Sequence, residues 1–70
     1  MADKMPENQE KGLRNLMKGN GHDKLEAERT LIRYGPDYFS EDILDIWLRG
    51  SVKSQERGKR VLEAWGKVEE

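Results

Sequence analysis

The chain has 70 residues, no cysteine and a single histidine, His22. Disulfides, thiolate metal sites and an imidazole-rich zinc site are therefore outside its chemistry, and neither metal nor cofactor is expected. Its 13 Lys and Arg stand against 14 Asp and Glu, a balance with no global pull toward nucleic acid or acidic membranes. At this length apolar burial barely offsets ordering entropy, so tidy helix packing or self-association has to help. No apolar run approaches the ~20 residues that cross a bilayer. Residues 1–7 lack the apolar core of a secretory signal. The expectation is a soluble cytoplasmic protein with no membrane contact: a single small helical domain over residues 9–70 behind a polar, disordered tail over 1–8.

Residues 9–18 carry Leu13, Leu16 and Met17 at helical spacing, with Gly12 as a weak point. Gly19-Asn20-Gly21 then breaks the chain. Loop amides ahead of a helix can hold phosphate, but the glycine spacing and Lys-Ser/Thr pair of a phosphate loop are missing. Asp23-Lys24-Leu25-Glu26 has the form of a capping box and predicts a helix over 23–34. Its apolar residues, Leu25, Ala27, Leu31, Ile32 and Tyr34, spread over about half the helix. Gly35-Pro36 stops it.

The densest apolar stretch is Ile43-Leu44-Asp45-Ile46-Trp47-Leu48. Ser40 offers an N-cap, and Phe39 with Leu44 forms a hydrophobic-staple pair. Glu41 and Asp42 suit the positive end of the dipole, and Arg49-Gly50 closes the far end. A helix over 40–49 follows. At ~100° per residue its apolar side chains fan across roughly half the circumference. Such a face needs at least two neighbours, and one of them is expected to be another molecule.

A last helix is predicted from near Ser51–Ser54 to about Val68, with Gly58, Val61, Leu62, Trp65 and Val68 on one face. Glu56–Arg60 and Glu63–Lys67 have the spacing of helical ion pairs. Gly58 leaves room for another helix to approach closely. The order Arg, β-branched, Leu, two variable residues, aromatic, Gly occurs at both Arg29–Gly35 and Arg60–Gly66, an echo too short to define a repeat.

Four groups of residues bear on function. His22 has no cysteine or second histidine beside it and reads as an exposed residue near a helix start. Asp37, Glu41, Asp42 and Asp45 gather acid around the third helix, which dipole compensation and a solvated face explain. The basic run Arg49, Lys53, Arg57, Lys59, Arg60 invites comparison with a DNA-reading helix. Against that, bulky Trp47 stands where a helix-turn-helix needs a small residue, and cations occupy the early packing positions of the second helix. The aromatics Tyr34, Tyr38, Phe39, Trp47 and Trp65 fall on apolar faces or at the staple, as core residues do.

The fold class expected is all-α, a small bundle of three to four short helices. The alternative is a ribbon-helix-helix dimer with residues 30–34 as a strand. The function expected is that of a non-enzymatic interaction or regulatory module. It docks on a protein partner, or self-associates as a homo-oligomer, through Ile43, Trp47 and Leu48. The alternative is a small DNA-binding regulator that uses Lys53, Arg57, Lys59 and Arg60 on phosphates. No catalytic constellation and no small-molecule substrate are expected.

Overall fold

Pro6 starts the first helix, α1 (Glu7–Met17), with Glu7 and Glu10 in its first turn, where the dipole favours acid. The computed structural model describes residues 4–66. Residues 7 and 8, expected in a tail, are thus helical, and the Met5 N–H donates to the Tyr38 carbonyl at 2.8 Å. Residues 1–3 lie outside the described residues. Glu10, Leu13 and Met17 form the buried side of α1, at the i, i+3, i+7 spacing of one helix face.

The second helix, α2, runs from Gly21 to Tyr34. Its cap is Asn20, whose side chain accepts the Asp23 N–H at 3.0 Å. The capping box read at Asp23 is therefore displaced by three residues. Asn is as good an N-cap as Asp, and the earlier start adds intrahelical bonds such as Lys24 N–H to Asn20 carbonyl at 2.9 Å. Residues 30–34 lie inside this helix, and the Thr30 hydroxyl donates back to the Glu26 carbonyl at 2.9 Å. The ribbon-helix-helix alternative falls with that. Gly35 ends α2 at φ 86°, and its N–H donates to the Leu31 carbonyl at 3.1 Å.

A 3-10 turn over Pro36–Tyr38 leads to Phe39, which is buried. The helix predicted over 40–49 then contracts to one turn, α3 (Asp45–Leu48). Ser40 is drawn toward α1 instead of capping: its hydroxyl and its N–H both donate to Glu10 Oε2, at 3.1 and 3.3 Å, and α3 has no side-chain cap. Residues 41–44 wind through tight turns with Ile43 N–H to Ser40 carbonyl and Asp45 N–H to Asp42 carbonyl bonds. These turns send both Ile43 and Leu44 inward.

Ser51 caps the last helix, α4 (Val52–Ala64), accepting the Ser54 N–H at 3.3 Å. Ser54, Gly58 and Val61 are its buried side. The helix ends earlier than the predicted Val68, with Gly66 at φ 73° just beyond. Residues 67 and 68 lie outside the described residues. The fold is a small all-α bundle: four α-helices, with no strand among the described residues.

One core joins all the elements, from Leu13 and Met17 through Ala27, Leu31, Phe39, Ile43, Leu44 and Trp47 to Val61. α3 packs on α4 and also touches α1. Gly58 makes the α3–α4 approach possible, because a β-carbon there would sit 2.7 Å from Leu48 Cδ2. The apolar breadth of residues 43–48 does need more than one neighbour. The neighbours that bury Ile43, Leu44 and Trp47 belong to its own chain, while Ile46 and Leu48 stay half-buried.

Candidate interaction surfaces

The structure buries two of the three predicted partner-binding residues. Ile43 is 2% and Trp47 1% exposed, so neither presents a surface in this fold. The short α3 causes this: with turns on both sides, its apolar residues meet α1, α4 and the core at once. Leu48 is half-buried, lying over Gly58 and against the core.

The basic run divides in two. Lys53 and Lys59 are exposed. Arg57 and Arg60 instead converge on Glu28 of α2. Arg60 Nη2 lies 2.9 Å and Arg57 Nη1 3.6 Å from Glu28 Oε1. The predicted Glu56–Arg60 helical pair is thus replaced by a link between helices, and Lys67 of the second predicted pair lies outside the described residues. Arg49 has only a loose contact to Asp45, at 3.9 Å between exposed side chains.

A second ionic group ties α1 to the turns before α3. Arg14 Nη2 bridges Glu10 Oε1 at 3.0 Å and Asp42 Oδ1 at 2.8 Å. Burial alone would raise the Glu10 pKa, but hydrogen bonds from Ser40 and Arg14 outweigh it and hold the carboxyl below its ordinary value. For Asp42 the hydrogen bond and charge of Arg14 lower the pKa. Burial opposes the charge on Arg14, and the two carboxylates overcome it, so its pKa is raised. A carboxylate held in this way is a poor proton acceptor. The cluster works as a clasp between α1 and the segment from Ser40 to Asp42.

Two features of the surface lie outside the expected sites. The first is the outer side of α2. Leu25, Arg29 and Ile32 stand at i, i+4 and i+7, all exposed, flanked by exposed His22, Glu26 and Arg33. Leu25 is 39% and Ile32 41% exposed. Arg29 and Arg33 have no carboxylate partner among the described residues, and the Arg33 guanidinium lies 5.9 Å from the centre of the Tyr34 ring. The signal is present in the spacing. At 100° per residue Leu25 and Ile32 fall within roughly 20° of each other and about 100° or more from Ala27 and Leu31. They form a stripe of their own, separate from the buried face.

The second feature is a shallow cavity of about 280 Å³ between residues 36–48 and the end of α4. Leu44, Leu48, Leu62 and Trp65 line it, and the exposed carboxylates of Glu41 and Asp45 stand along it. Among the described residues no three histidines or carboxylates are grouped to hold a metal ion, and no helix is long and apolar enough to cross a membrane. Compared with protein-family models, curated proteins and solved structures, the chain matches none.

Proposed function

We propose that this chain is a non-enzymatic helical interaction module that docks on a protein through the outer stripe of α2. The observation that carries the reading is the pairing of exposed Leu25 and Ile32 on one side of a helix whose other side is already committed to the core. Arg29 and Arg33 set the chemistry of the partner: apolar side chains accompanied by carboxylates. Two apolar anchors make a small interface, below the ~800 Å² per partner typical of lasting complexes. The contact is therefore a transient one.

The DNA-binding alternative has less behind it. Two of its four residues, Arg57 and Arg60, already share Glu28, leaving Lys53 and Lys59.

Site-specific photocrosslinking in cells tests the docking proposal. Crosslinkers placed at Leu25 and Ile32 should each yield the same discrete adduct. Crosslinkers at exposed Lys11 and Asn15 of α1 should not. Equal crosslinking at all four positions, or none at Leu25 and Ile32, would overturn it. Ile32→Ser with the crosslinker at position 25, and Leu25→Ser with the crosslinker at position 32, should each abolish the adduct while leaving helical content intact.

A further inference from the structure

We infer that the partner of the α2 stripe is a second copy of this chain, which receives it in the acid-lined cavity beside α3. The inference rests on the docking reading above and adds the identity of the acceptor. Each surface supplies what the other lacks. The stripe offers projecting apolar side chains, Leu25 and Ile32, beside two guanidinium groups. The cavity offers an apolar floor, Leu44, Leu48, Leu62 and Trp65, beside two carboxylates.

Charge selects the pairing. Arg29 and Arg33 lack carboxylate partners among the described residues, and Glu41 likewise lacks a cationic one. Asp45 has only Arg49, at 3.9 Å and exposed on both sides, a contact an incoming guanidinium can replace. A stripe-to-stripe dimer would instead bring four arginines together against two copies of Glu26. The cavity, at about 280 Å³, has room for one or two aliphatic side chains.

The stripe and the cavity share no residue, so the contact is head to tail and can build rings or open chains. The contact is small, so association should appear only toward high concentration.

The test is a pair of charge reversals on the full chain, R29E/R33E and E41K/D45K, followed by sedimentation velocity from about 10 μM to about 1 mM. The wild-type average mass should rise with concentration. Each variant alone should associate at least tenfold more weakly. An equimolar mixture should recover wild-type association, because the reversed stripe of one fits the reversed cavity of the other. Recovery on mixing also shows that both variants are folded. If E41K/D45K lowers helicity, E41K alone replaces it in the same experiment.

A wild-type chain that stays monomeric throughout overturns the inference. So does loss of association in R29E/R33E with none in E41K/D45K, or a mixture that fails to recover. In each of these cases discrete crosslinks from Leu25 and Ile32 would keep the docking reading and reassign its partner. Absence of those crosslinks would remove both.

Discussion

The Trp47 indole N–H donates to the carbonyl of Met17 at 2.9 Å, and Met17 is the last residue of α1. A helix end leaves carbonyls without intrahelical donors. Here a side chain from α3 supplies one from inside the core. Trp65 reaches the last turn of α2, donating to the Leu31 carbonyl at 2.7 Å as a second donor beside Gly35. Each tryptophan of the second half therefore bonds the C-terminal turn of a helix of the first half.

The two bonds differ in consequence. The Leu31 carbonyl also accepts the Gly35 N–H at 3.1 Å, so it stays bonded without Trp65. Trp47 is 1% exposed, and its carbonyl partner lies in a buried environment. Trp47→Phe keeps most of the packing and strands that acceptor, at a cost of about 1–3 kcal/mol. Trp65→Phe should cost less. Denaturant unfolding of the two variants gives the order, and an equal loss in both would contradict this account.

Gly12 and Gly58 sit within helices but should respond oppositely to alanine. Alanine gains roughly 0.8–1 kcal/mol over glycine in a helix interior. At Gly12 an added β-carbon would meet nothing within 4 Å, so Gly12→Ala should realise most of that gain. At Gly58 the new atom would meet Leu48 Cδ2 at 2.7 Å and Cγ at 3.2 Å. Displacing Leu48 costs about 1–3 kcal/mol by overpacking, so Gly58→Ala should be destabilising on balance. Thermal unfolding should move the two midpoints in opposite directions.

The Glu10–Arg14–Asp42 clasp makes stability depend on acid. Glu10 and Asp42 both have folded-state pKa values below their ordinary 4.5 and 3.8. A lowered carboxyl pKa means the unfolded chain takes up protons first. The stabilisation is therefore fully present above the ordinary values and is lost as pH falls through the lowered ones. Arg14, whose pKa is raised, stays charged throughout. Glu10→Gln should be less stable than wild type at neutral pH and should show a flatter fall from about pH 5 to about pH 2. Urea unfolding across that range measures both slopes. Parallel curves would show that Glu10 contributes packing alone.

Local chemistry made α1, α2 and α4 readable, because periodicity, glycine stops and the Ser51 cap all act within a few residues. Asn20 and Asp23 both carry capping side chains; the longer helix prevails because it forms more backbone bonds. The short α3 was not readable. Ser40 and Phe39 carry every local sign of a helix start, yet Ser40 is engaged by Glu10, thirty residues earlier. The same distance hid the Trp47–Met17 bond, and with it the burial of the face expected to meet a partner. Apolar breadth indicates how many neighbours a segment needs. Whether they come from the same chain depends on contacts remote in sequence.

Glu28 governs how much positive charge α4 presents. Arg57 and Arg60 both approach its Oε1, while Lys53 and Lys59 face outward. Two available cations predict a salt slope for duplex DNA of about −2 on logarithmic axes, at roughly −0.9 per phosphate contact. Glu28→Gln removes the competing carboxylate charge and should steepen that slope toward about −4. Fluorescence anisotropy with a labelled duplex at several salt concentrations measures both. A wild-type slope already near the steeper value would mean that the arginines leave Glu28 for phosphate, and the basic run would then outrank the α2 stripe as the functional surface.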